Sequence, residues 1–386
     1  MDQKYLKVIG LLLVIICLAG ISDAKRSAGS SGNPECLDCT DGGYYDTDFN
    51  SSFMAEWWYQ NGDMRLVGED GEKKNLAFFA VMAHQESPTL FNISGVKYSQ
   101  PATFYALYPY EEPVTHNYTR MLVPRSEIEN YIEFHVPYLN FTYPGNYGRF
   151  YGSASKGYGL NYTYDKVKLD LFFTPRAQET TDQAIEPVNF TTYERAYGKL
   201  QGTVTLDGKK YRVTQADGYF DHMIPYATDK PVWGMEMHGW SWSELTTNNF
   251  QTIFYGVRGV DDSYNNYTYR SLTLINKNTG KVIAKYSGDE IGVEEGDWVN
   301  VVVKEREMKR PATIKISTSD LNISINAQSV AQLDKASLPD EQPLGFVDFM
   351  AFQPEEASVE YKGKLEQGSA FYEYMISDWG ILNSPK

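Results

Sequence analysis

"LQGTVTLDGKKYRVTQADGYFDHMIP", residues 200–225, consists of two runs of alternating side chains joined by Asp207-Gly208. A two-residue Asp-Gly connection between such runs is a strong β-hairpin signal. The pattern recurs along the chain. "MRLV" passes through "GEDGE" into "NLAFFAVMA", and "WGMEMHGWSWSEL" through "TTNN" into "FQTIFYGVR". "SLTLIN" passes through "KNTG" into "KVIAKY", and "ATIKIST" through "SD" into "LNISINA". Repeated hairpins, 15% aromatic residues and little helical periodicity predict an all-β chain. Strands do not alternate with helices, which argues against a dinucleotide-binding fold. Meandering strands with alternating faces suit barrels, whose closure removes free edges. Two barrels of about 170 residues would account for the length.

The pleat decides which polar residues can act together, because neighbouring side chains in a strand face opposite sides. If 216–222 stays extended, Asp217, Tyr219 and Asp221 point one way, and Phe220 and His222 the other. Asp221 and His222 then form no dyad unless a bulge at "DHMIP" re-aims them. In "AEWWYQNGDMRL" (55–66), Glu56 and Trp58 share one face, Trp57 and Tyr59 the other. Glu56 reads either as a desolvated acid with a raised pKa or as a buried acceptor closing a barrel end. In "WGMEMHGWSWSEL" (233–245), His238, Trp240, Trp242 and Glu244 share a face, preceded by Glu236. Such a wall suits either an apolar small-molecule pocket with a polar tip or a packed core.

The chain begins with Lys4 and Lys7, the apolar run "VIGLLLVIICLAGI" (8–21) and a small residue at Ala24, which predicts a signal peptide over 1–24. An uncleaved anchor is the alternative; no other stretch is as apolar. A polar linker follows over 25–44. Outside the signal the cysteines are Cys36 and Cys39, which suit a small local disulfide better than a redox or zinc site. Sequons at Asn50, Asn92, Asn117, Asn140, Asn161, Asn189, Asn266 and Asn322 point to a secreted or cell-surface glycoprotein. The net charge of −15 is unchanged by loss of residues 1–24, since Lys4 and Lys7 balance Asp2 and Asp23. An acidic surface argues against nucleic acid and anionic lipid headgroups as partners.

Other chemistry finds little support. The histidines at 84, 116, 135, 222 and 238 lack zinc-ligand spacing, and no nucleophile elbow or phosphate loop is present. Asp41, Asp46 and Asp48 in "DGGYYDTDF" lack the order of a calcium loop and read as a solvated loop. No metal and no cofactor are expected.

Taken in order, "EWWY" at 56–59, "GYFDH" at 218–222, "WSWSEL…FQTIFYGVR" at 240–258 and "GKLEQGSAFYEYM" at 363–375 resemble the AttH-like and carotenoid 1,2-hydratase (hydroxyneurosporene synthase) lipocalin family. The resemblance runs from about residue 53 to 376. It implies two lipocalin-like β-barrels in tandem, here over 45–228 and 229–386. It further implies a ligand pocket, with Asp221 as the acid and His222 and Glu56 supporting it. Trp58, Tyr59, Glu236, His238, Trp240 and Trp242 are the ligand-binding candidates. The chain departs from the family after "DH", where Met223-Ile224-Pro225 replaces a polar residue and Trp-Gly. Two functions are expected on this basis. One is an exported protein that binds a hydrophobic small molecule of isoprenoid, polyene or lipid-like character. The other is a hydratase or cyclase that protonates a double bond from Asp221.

Overall fold

The computed structural model describes residues 41–43, 54–86, 91–145, 147–176, 181–185, 190–225, 237–259, 266–303, 306–335 and 346–377. The signal region, Cys36, Cys39, Asn50, Asn189 and Glu236 lie outside them. All five predicted hairpins form. Met54–Gly68 pairs with Lys73–Glu86, Phe190–Leu206 with Lys209–Pro225, and Met237–Thr247 with Phe250–Gly259. Tyr269–Asn276 pairs with Lys281–Ser287, and Thr313–Ser317 with Leu321–Asn326. At the deciding turn Asp207 has φ 50° and Gly208 φ 82°, the two positive angles that match the twist of a tight hairpin. Among the described residues the helical segments are two short 3-10 turns, Arg125–Asn130 and Gly288–Glu290. No helix there is long and apolar enough to cross a membrane.

The strands form two large antiparallel sheets, one of 13 strands from the first half and one of 10 from the second. Both are wound alike. In the first, the opening strand Met54–Gly68 lies between its hairpin partner and the last strand, Lys209–Pro225. In the second, Met237–Thr247 lies between Phe250–Gly259 and the last strand, Lys364–Ser377. Each sheet curls so that distant strands meet. Tyr105 on Val96–Pro109 packs 4.7 Å, centroid to centroid, from Tyr162 on Gly157–Tyr164. Glu295 on Gly292–Gly296 accepts hydrogen bonds from Ser241 and Tyr372 on the two central strands, at 2.8 Å each. These are two lipocalin-like β-barrels in tandem.

Each barrel has its own apolar interior, and a third apolar cluster lies between them. That cluster draws Tyr59, Phe79, Phe104 and Tyr219 from one barrel and Trp242, Tyr255, Met350 and Phe371 from the other. The central strands are therefore buried on both faces, like strands sandwiched between layers. Polar contacts tie the barrels together as well. Tyr108 Oη donates to the Met350 carbonyl at 2.9 Å, Ser369 Oγ to Asp63 at 2.8 Å, and Lys277 Nζ to Asp217 at 2.8 Å. Of the eight sequon asparagines, the six described ones are exposed or half-buried, as on Leu321–Asn326, where Asn322 alternates outward between Leu321 and Ile323.

The turn geometry gives a direct test. A Cβ on Gly208 meets nothing within 4 Å, so Gly208→Ala adds backbone strain without a clash. It should lower stability by about 1–2 kcal/mol, read from the denaturant midpoint at unchanged slope.

Candidate functional site

The pleat of the two central strands of the first barrel sorts their residues. Trp57, Tyr59 and Asp221 border a cavity between the barrels, and Trp58 and His222 project into the barrel. From the second barrel, Trp240, Trp242, Tyr255, Asp348 and Glu373 complete the wall. The volume open to the centres of water molecules is about 120 Å³. Most of the lining is aromatic or aliphatic, and among the described residues its ionisable groups other than tyrosines are all carboxyls.

Asp221 is 4% exposed. Tyr219 Oη donates to its Oδ2 at 2.8 Å, and Tyr255 Oη lies 3.4 Å from the same oxygen and 3.2 Å from the Tyr219 hydroxyl. Burial raises both phenols well above their ordinary range, so they remain donors. Oδ1 of Asp221 has no partner. Burial pushes the carboxyl up to about 7, with the nearby Glu373 adding to the rise and the two tyrosines opposing it. Asp221 is a carboxyl that holds its proton close to neutrality, with one oxygen anchored and the other uncommitted.

Asp348 and Glu373 lie on adjacent strands, where Met350 pairs with Glu373 and Asp348 with Met375. They are thus diagonal neighbours on one face. Trp240 Nε1 donates to Glu373 Oε1 at 2.8 Å. Burial raises both acids, Glu373 to about 7 and Asp348 well above the carboxylate range with Glu373 as the second cause. The Trp240 N–H favours charge on Glu373, while burial and the neighbouring Glu373 favour the protonated form of Asp348. The sequence reading missed this pair. Glu373 stands in "FYEYM" and Asp348 in "FVDFM", acids isolated among apolar residues, and that contrast was the available signal.

Several expected site residues lie elsewhere. Glu56 borders the cavity, but its oxygens accept from His84 Nε2 and His222 Nε2, both at 2.6 Å. Trp58 stacks on both imidazoles, at 6.2 Å and 4.7 Å, and is fully buried inside the barrel. Neither Trp58 nor His222 lines the cavity: both sit on the inward side of the pleat. Asp41 is buried rather than solvated. Its carbonyl accepts from Trp58 Nε1 at 2.9 Å, and its carboxylate accepts from Tyr158 Oη at 2.9 Å and Ala154 N at 2.8 Å. His238 also leaves the cavity wall, because the register shifts between Met237 and Gly239 and Met237 joins the cluster with Trp242. Tyr59, Trp240 and Trp242 do line it, and the described residues hold no cluster that could bind a metal ion.

Fold and site define a tandem lipocalin-like protein with a carboxyl-bearing apolar cavity between its barrels. The sequence matches no family model and no curated protein. Its fold is that of AttH-like proteins. A putative AttH from Nitrosomonas europaea superposes with a TM-score of 0.60 at 14% identity, covering 88% of this chain and 98% of that one. Kievitone hydratase from Nectria haematococca gives 0.51 at 13% identity, covering 88% and 98%. CghA with Sch210972 gives 0.52 at 12% identity, covering 85% and 89%.

The two sides of the pleat respond oppositely to pH. Burial, with the Arg125 guanidinium second, lowers His84 to about 3 from 6.5. An unfolded imidazole takes up a proton that the folded one refuses, so this contribution is present above about pH 6.5 and lost as pH falls toward 3. Asp221 is raised, so its contribution is present below about pH 4 and lost as pH rises through about 7. Asp221→Asn should therefore gain stability over the parent between about pH 5 and pH 8, by a few kcal/mol at most. His84→Gln should flatten the acid limb. Denaturant titrations across that range measure both, and parallel curves would discard these proton assignments.

Proposed function

We propose that the chain binds a hydrophobic small molecule in the cavity between its barrels. The observation that carries this reading is the wall itself. Trp57, Tyr59, Phe79, Phe104, Trp240 and Trp242 offer large apolar surface with a few convergent polar groups, the usual make-up of a small-molecule site. Organic extraction of the natively expressed protein, followed by mass spectrometry, should release one dominant apolar compound. An empty extract, together with no binding of apolar probes, would remove the reading.

A second reading, acid catalysis on that molecule, is favoured by the free Oδ1 of Asp221 at the apolar wall. Asp221 transfers its proton to one carbon of a double bond. The cation at the other carbon is stabilised by the surrounding aromatic rings. Water adds there and returns a proton to Asp221, so the net change is addition of water; capture by a nucleophile within the ligand would close a ring instead. Kievitone hydratase, by its name a hydratase, shares this fold and lends the reading support without deciding it. Asp221→Asn should lower turnover by about 10²–10⁴-fold while ligand affinity changes little. A variant with full turnover would exclude Asp221 as the acid.

Export belongs to the same proposal, supported by the signal-like N-terminus and the surface positions of the described sequons. Endoglycosidase treatment of the secreted product should lower its mass. An unmodified product retained in the cytosol would count against export.

A further inference from the structure

We propose that the ligand is a lipophilic amine, its ammonium seated on Glu373 and Asp348 beside Trp57 and Trp240; this rests on the cavity being the ligand site. Among the described residues that line it there are four carboxyl side chains and no Lys, Arg or His. A carboxylate or phosphate ligand would enter without a counter-charge and against buried acids, an expensive arrangement. A neutral ligand would bring no counter-charge to these buried carboxyls either. An ammonium answers both problems.

The local geometry suits such a group. Trp240 Nε1 occupies Glu373 Oε1 at 2.8 Å. Asp348 is 6% exposed, and its Oδ1 has no partner. An ammonium carries three N–H donors and no acceptor, so it can bond Glu373 and the open Asp348 oxygen together. Asp348 and Glu373 are diagonal neighbours on one face, so a single ammonium can face both carboxyls. The indoles of Trp57 and Trp240 lie 5.9 Å apart and tilted by 33°, adjoining walls beside the carboxylate. Aromatic surface next to a carboxylate attracts a desolvated cation, and tryptophan does so best. Asp221, on the opposing barrel, is left free for the apolar part of the ligand.

The test uses the full secreted chain and three probes of one shape: phenylbutylamine, phenylbutanol and phenylbutyrate, followed by calorimetry. An alkylamine is cationic at neutral pH, with a pKa near that of lysine, about 10.4. The amine should bind at least about tenfold more tightly than the alcohol, and phenylbutyrate weakest. Glu373→Gln should remove the amine's advantage over the alcohol; an unchanged circular dichroism spectrum shows that the variant is folded. Asp348→Asn serves as the second variant. Equal binding of amine and alcohol would overturn the inference and leave the cavity reading standing. A preference surviving in both variants would overturn the assigned seat. Binding of none of the probes would overturn the inference and the cavity reading together.

Discussion

The constraint on which the molecule depends is the two-residue period of a strand buried on both faces. Met54–Gly68 and Lys209–Pro225 are the central pair of the first barrel, and neither face meets open solvent near the site. Every polar side chain on them must find a partner on one side or the other, because an unmatched buried polar group costs about 1–3 kcal/mol. Much of the inward set solves this locally, although Gln60 Nε2 and His84 Nδ1 keep no partner. Glu56 bridges His84 and His222, Trp58 covers both rings, and Asp41 receives the indole N–H. The outward set solves it only in part: Asn61 Oδ1 and Asp221 Oδ1 have no partner, and Asp221 borders the cavity.

The second barrel repeats the inward solution with different chemistry. Arg258 is fully buried, its guanidinium 4.2 Å above the Tyr374 ring and bonded to Ser241 Oγ at 2.9 Å. Glu295 closes the group through Ser241, Tyr267 and Tyr372. A cation held by aromatic rings and one carboxylate stands where the first barrel places two imidazoles and a carboxylate. The duplication is thus visible in strand order and in the use of a polar interior, and absent from residue identities. No internal repeat could be read from the chain for that reason: what is shared is winding and burial, which many side chains satisfy.

Much of the fold was legible because hairpins are local. Asp207-Gly208 and the alternating runs beside it specify a turn and a register within one short segment, and all five such segments pair as their patterns predict. The separation of Asp221 from His222 followed from the same period. The site was less legible, because it is assembled from both halves of the chain. Asp221 meets Glu373 across some 150 positions of sequence, and no local pattern records that approach. His238 was lost to a single register shift: a bulge changes which side chains share a face, and nothing in "MEMHGW" announces one. Trp58 was misassigned for a further reason. Period alone says which residues travel together, and it does not say whether their side is the barrel interior or the barrel surface.

Both sets of buried acids are hard to justify by stability alone. Glu56 satisfies two imidazoles and is a structural acid by its contacts. Asp221, Asp348 and Glu373 are raised by burial, and two of the three keep an oxygen without a partner. Apolar replacements of similar volume would fill the same wall at lower desolvation cost. On the outward face Asp221 and Asp348 each leave an oxygen open beside the cavity, among other buried polar atoms without a partner such as Gln60 Nε2 and Asn61 Oδ1. Departures of that kind cluster where a protein meets a ligand, because the missing partner is supplied on binding. The two barrels make the arrangement tolerable by packing aromatic surface around it.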